Sequence, residues 1–164
     1  MGKYMAQHLM KKGGYKLSVY NRTQSKAQEL IDEGAEFKKP IEIAKECDYV
    51  FLMLGYPHDV ESMTLDKEEG ILKHMKPGSY LIDHTTSTPE LAARIAAEAV
   101  KIGVKSVDAP VSGGDIGAKN GCVVTMCGGE VADVDHLRFL LDKYSKDVER
   151  MGPAGSGQHT KMAN

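Results

Sequence analysis

The stretch MGKYMAQHLMKKGGYKLSVYNRT, residues 1–23, decides the fold class. Tyr4, Met5, His8, Leu9 and Lys12 recur three or four residues apart, which is helical spacing. Gly13 and Gly14 can stop that helix, because glycine adopts positive φ without a Cβ clash. Lys16-Leu-Ser-Val-Tyr20 then alternates polar and apolar residues as a short strand does. Helix, glycine, strand and the turn Asn21-Arg22-Thr23 form the second half of a β-α-β unit. The unit's first strand is expected before Met1, where this sequence has no residues.

The remaining segments continue the alternation. Ser25–Glu33 is read as a charged amphipathic helix, and Ala35–Phe37 as a short strand. A helix follows over Ile41–Cys47, with Pro40 at its start. The apolar run Tyr49–Leu54 suits a parallel strand covered on both faces. A helix over His58–Leu65 and a turn at Ile71–Met75 lead to a second buried strand, Ser79–Asp83. Ser87-Thr-Pro-Glu90 reads as a capping box that opens a helix over Leu91–Lys101. Strands over Val104–Ala109 and Cys122–Cys127 flank a glycine-bearing loop or short helix, Gly113–Asn120. Val131, Val134, Leu137 and Leu141 stripe a last long helix. Val148–Met151 is a short strand, Gly152–Gly157 a loop, and Gln158 opens a helix that reaches Asn164. Strands and helices alternating at this spacing indicate an α/β protein with a mostly parallel sheet and helices on both faces.

Bulk properties narrow the function classes. The chain has 164 residues, long enough for one domain with a sizeable core. A net charge of −2 argues against nucleic-acid or membrane-surface partners. No apolar run nears the roughly 18 residues that span a bilayer, and no secretory segment follows Met1. The three cysteines, Cys47, Cys122 and Cys127, form no CxxC pair, which points to reduced thiols in a cytoplasmic protein. No Cys/His cluster has metal-ligand spacing, so no metal is expected. With no tryptophan, the core is expected to be aliphatic and methionine-rich.

Several segments can carry chemistry. Gly2 can supply the last glycine of a G-x-G-x-x-G nicotinamide fingerprint, or merely pack its helix. Asn21-Arg22-Thr23 sits where an NAD-binding fold usually places an acid for the ribose hydroxyls. Arg22 there suits the 2′-phosphate of NADP, unless the segment is only a solvated turn with Thr23 as an N-cap. Met53-Leu54-Gly-Tyr-Pro57 and Asp83-His-Thr-Thr-Ser-Thr-Pro89 follow strands, at the carboxyl ends where open α/β sheets bind ligands. Ser87 and Glu90 are assigned to capping, and His84 is read as a packing or an exposed residue rather than a catalytic base, which leaves Thr85 and Thr86 free. In Asp108-Ala-Pro-Val-Ser112-Gly113-Gly114, consecutive glycines leave backbone N–H groups unshielded, a nest that fits a carboxylate. In Gly155-Ser-Gly-Gln-His-Thr-Lys161-Met-Ala-Asn164, a lysine follows a glycine lead-in and precedes an amide, an arrangement that suits a general acid/base.

On the motifs Asp108–Gly114, Gly155-x-Gly-x-x-x-Lys161-x-x-Asn164 and Asn21–Thr23, the chain resembles the β-hydroxyacid dehydrogenases. That family includes 3-hydroxyisobutyrate dehydrogenase, tartronate semialdehyde reductase and, more distantly, 6-phosphogluconate dehydrogenase. The resemblance implies an NAD(P)-binding Rossmann-type domain over residues 1–152 and the start of an interdomain helix over 153–164. It further implies Lys161 and Asn164 as catalytic residues, and Ser112, Gly113 and Gly114 as the carboxylate site. Gly2, Asn21, Arg22, Thr23, Met53, Leu54 and Thr86 would line the cofactor, NADP or NAD, with Arg22 and the missing acid leaning towards NADP. The substrate would be a small carboxylic acid, and the full-length enzyme a homo-oligomer with a helical second domain. The chain is therefore expected to be a piece of a longer enzyme. A non-catalytic dinucleotide-binding or assembly module is the alternative. A sugar-phosphate dehydrogenase fits less well, since only Lys119 lies near the Ser-Gly-Gly turn to hold a phosphate.

Overall fold

The structure, a computed structural model, describes residues 1–164. The opening helix α1 (Gly2–Gly13) buries Met5 and Leu9, and its left-handed cap Gly14 donates to the carbonyls of Leu9 and Met10. Strand β1 (Ser18–Val19) is shorter than the alternation suggests and pairs in parallel with β2 (Glu36–Phe37). The helix expected over Ser25–Glu33 is broken: a 3₁₀ turn over Gln24–Ala27 runs into a short α2 (Gln28–Asp32). Lys26 N–H and the Asn21 side-chain amide both bond the Thr23 carbonyl, which fixes a tight i→i+3 turn there.

After α3 (Pro40–Glu46) a second sheet begins. Strands β3 (Tyr49–Leu52), β4 (Tyr80–Asp83) and β5 (Lys105–Asp108) are parallel neighbours in register, so Leu52, Asp83 and Asp108 form one row at their carboxyl ends. The hairpin strand β6 (Val111–Ser112) and β5 each pair antiparallel with β7 (Val123–Gly128). β7 pairs in parallel with β8 (Ser145–Gly152), which is longer than the strand expected over Val148–Met151. Helices α4 (Pro57–Leu65), α5 (Pro89–Lys101), α6 (Gly114–Asn120), α7 (Val131–Leu141) and α8 (Ser156–Ala163) complete the chain. This is a mostly parallel α/β sheet of Rossmann type.

Alternation along β3 shows why the sheet is covered on both sides. Tyr49 and Phe51 join the cluster formed with α1 and α7, while Val50 and Leu52 join the one formed with α4 and α5. The core is chiefly aliphatic, with Met5, Met75, Met126 and two tyrosines, Tyr80 and Tyr144, buried in it. The capping box expected at Ser87 is not formed. Pro89 takes the first helical position of α5, which makes Thr88 the N-cap, and its hydroxyl accepts from Leu91 N–H at 3.2 Å.

The sheet is in two pieces. β1 pairs only with β2, and β3 only with β4, although Tyr15 and Leu17 share a hydrophobic cluster with Tyr49, Phe51 and Met53. The backbone ladder is therefore open between β1 and β3. A two-stranded ribbon is only marginally stable by itself. Amide hydrogen exchange should find Ser18–Val19 and Glu36–Phe37 at least about 100-fold less protected than β4 and β5. Equal protection would mean that the ribbon opens only with the main sheet.

Candidate active site

The loops that leave β3 and β4 are stitched together. Beyond β3, Leu54 N–H turns from the ladder and donates to Thr85 Oγ1 at 2.9 Å, which ends the strand before the expected Met53 and Leu54. Thr85 N–H donates to Asp83 Oδ1 at 2.9 Å. Thr85 is buried, so the neighbouring Thr86 is the exposed hydroxyl of the loop. The start of α1 abuts the same edge: a Cβ built on Gly2 would lie 3.2 Å from Met53 Cβ, so only glycine fits without displacement.

The carboxylate candidates meet the lysine helix. Ser112 Oγ donates to Asn164 Oδ1 at 3.1 Å, joining the end of β6 to the end of α8. Lys161 lies one helical turn before Asn164, half-exposed and without a carboxylate partner. Gly113 (φ 132°) and Gly114 (φ 62°) both occupy backbone conformations that favour glycine, and both are exposed. Neither amide is bonded within the chain, so both remain available to an anion. The structure thus ties Ser112, next to Gly113 and Gly114 in the chain, to Asn164, one helical turn after Lys161, and brings Gly2, Met53, Leu54 and Thr85 together at the ends of β3 and β4.

Asn21, Arg22 and Thr23 stand apart at the end of β1. Asn21 is held by its own turn, Thr23 makes no side-chain cap, and exposed Arg22 has no ion pair. A dinucleotide fits these features. The first turn of α1 carries no acid, its close packing on Met53 admits only glycine, and Arg22 is an uncommitted cation. Ser87 Oγ, in the loop after β4, is the one buried side-chain polar atom without a partner.

Residues 1–152 match the family model described as the NAD binding domain of 6-phosphogluconate dehydrogenase. The chain belongs to that family. It is 46% identical over its whole length to the probable 3-hydroxyisobutyrate dehydrogenase-like 1, mitochondrial, of Arabidopsis thaliana, covering 49% of that protein. Its fold matches all of this chain to 55% of Mycobacterium tuberculosis 3-hydroxyisobutyrate dehydrogenase, solved with L-serine, at TM-score 0.92 and 28% identity. It also matches 58% of Psf3, solved with NADP+ and 2-OPP, at TM-score 0.94 and 25% identity. The chain spans about half the length of these relatives.

Two residues that the sequence reading left without a role organise this NAD binding domain. Asp108, at the end of β5, accepts from Gly155 N–H at 2.7 Å and from Gln158 N–H at 3.0 Å. Gln158 is wholly buried; its Nε2 donates to Thr85 O, and its Oε1 accepts from Ser87 N–H, both at 2.8 Å. The one available signal was an acid near the end of the strand expected over Val104–Ala109, where a carboxylate, if buried, needs partners. His84 is a packing residue, as expected: Nδ1–H donates to Ala109 O at 2.6 Å, and Nε2 accepts from Tyr144 O–H at 2.8 Å. Burial pushes the Cys127 thiol pKa up to about 12.

Adjacent residues 83 and 84 titrate with opposite effects. Burial raises Asp83 to about 6, opposed by its Thr85 hydrogen bonds and reinforced by nearby Asp108. Burial lowers His84 to about 4, opposed by Ala109 O. Between about pH 4 and 6 folded Asp83 binds a proton that the unfolded chain releases, so its contribution to stability is lost as pH rises. Folded His84 lacks a proton that the unfolded chain binds, so its contribution is lost as pH falls through the same window. The two largely cancel. Asp83→Asn removes one side of the balance. Relative to this variant, the wild type should lose about 3 kcal/mol of stability between pH 4 and pH 7 in urea titrations. Parallel stability curves would contradict the assignment.

Proposed function

We propose that the protein is an NAD(P)-dependent dehydrogenase of small 3-hydroxy acids, with Lys161 as general acid/base. The observation that carries this reading is the Ser112–Asn164 hydrogen bond, which joins the helix bearing Lys161 to the residue that precedes the free amides of Gly113 and Gly114. Support also comes from the family of the domain and from the relatives' names. Residues 1–152 would form the cofactor domain, and 153–164 the start of an interdomain helix in a homo-oligomeric enzyme. Three free cysteines suit a reducing, cytoplasmic setting.

In this reading the substrate carboxylate sits on the Gly113 and Gly114 amides and on Ser112 Oγ, which fixes the orientation of the reacting carbon. Lys161 Nζ takes the hydroxyl proton during oxidation and returns it during reduction. Asn164 holds the hydroxyl or carbonyl oxygen from the next helical turn. A bound nicotinamide supplies the hydride acceptor or donor. Gly2 allows the pyrophosphate to approach the first-turn amides of α1. Met53, Leu54 and Thr86 line the nicotinamide side, while Asn21, Arg22 and Thr23 face the adenosine ribose. With no acid at the end of β1, Arg22 favours the 2′-phosphate of NADP.

Lys161→Ala should lower kcat about 10²–10⁴-fold in steady-state assays while cofactor affinity stays unchanged. Retained turnover would remove Lys161 from the mechanism, whereas cofactor binding without any turnover by the unaltered protein would favour a non-catalytic dinucleotide-binding module. Arg22→Ala should weaken NADP about tenfold and leave NAD nearly unaffected, as measured by fluorescence titration. An equal loss for both cofactors would remove Arg22 from cofactor selection.

A further inference from the structure

The two glycine motifs are halves of one device. Gly155, the N-cap of α8, has no side chain with which to cap it. Asp108 supplies the missing cap from another strand: one oxygen takes Gly155 N–H and the other Gln158 N–H, the cap and third helical positions. The carboxylate also opposes the positive end of the helix dipole. Such a cap works only if the helix seats directly on the sheet, and the glycines allow that. A Cβ on Gly157 would lie 2.4 Å from Met126 O and 2.9 Å from Asp108 Oδ2. A Cβ on Gly155, whose φ is 92°, would lie 2.8 Å from Pro89 O.

Gln158 extends the device sideways. Its side chain bonds both Thr85 O and Ser87 N–H, so it grips the loop that presents Thr86. Three elements then share one buried knot: β5, the loop after β4, and α8. Lys161 is five residues beyond Ser156, about 7.5 Å along the axis of α8. At that distance its place follows from whatever fixes the height and direction of the helix start.

We infer that Asp108 and Gln158 are positioning residues: they fix the height and direction of α8 and so set Lys161 against Ser112–Gly114 and the Thr86 loop. This inference rests on the proposed role of Lys161. It assigns to the first motif a second task besides holding a carboxylate, and it explains why glycines precede the lysine.

Asp108→Asn keeps the side chain's size but turns an NH₂ group towards an amide donor. The expected result is at least about tenfold faster amide exchange across Gly155–Ala163, with β7 unchanged. Alongside it, kcat for 3-hydroxy acid oxidation should fall about 10–100-fold, while the dissociation constant for NADP stays within about twofold. If Asp108→Asn does not fold, Gln158→Met, which removes only the side-chain bonds, should give the same split between kcat and cofactor binding. Unchanged exchange in α8, or a loosened α8 with unchanged kcat, would overturn the inference. Lys161→Ala run in parallel separates the two levels. If that variant loses turnover while Asp108→Asn keeps it, only the positioning role falls; if Lys161→Ala keeps turnover, the acid/base role of Lys161 falls and the positioning role with it.

Discussion

The carboxylate of Asp108 is buried under the first turn of α8, and most of the site depends on what it bonds there. A buried acid is costly unless amides surround it, and burial does raise its pKa while the amides of Gly155 and Gln158 pull it down. Those same amides are the ones a helix start leaves unpaired. Each group therefore resolves the other's desolvation, and the result is a fixed seat for the start of α8. Lys161 and Asn164 inherit their positions from that seat, and Ser112 meets Asn164 because of it.

A second constraint acts on the other half of the molecule. The ladder is open between β1 and β3, so α1 and the β1–β2 ribbon are held to the main sheet by side chains. Tyr15, Leu17 and the α1 residues Met5 and Leu9 do this by packing into the cluster that includes Tyr49 and Phe51. His8 adds a polar tie, with Nε2 at 3.1 Å from the carbonyls of both Ala118 and Lys119 at the end of α6. The carboxylate neighbourhood is thus supported by a continuous ladder, whereas the Arg22 turn rests on packing.

Much of this was legible in the sequence because the patterns were local. The continuous apolar run at Tyr49–Leu52, the stripe on α7 and the glycine stop of α1 are each patterns of the chain's own neighbouring residues. The site motifs were legible as clusters at strand ends, and Ser112 and Asn164 do meet. What failed depended on competition or on distant partners. Ser87 matched a capping box, but Pro89 fixed the helix start one residue later and gave the cap to Thr88. The break in the helix after Thr23 came from a side-chain amide two residues upstream. Asp108 and Gln158 act on each other across about fifty residues of chain, and no window of sequence shows that contact.

The most direct test is a crystal structure of the protein with NADP+ and a small 3-hydroxy acid. The account predicts the acid's carboxylate on the Gly113 and Gly114 amides and its hydroxyl within about 3 Å of Lys161 Nζ. A carboxylate bound elsewhere, or a lysine amine turned to solvent while the acid occupies the Ser112–Gly114 turn, would contradict it.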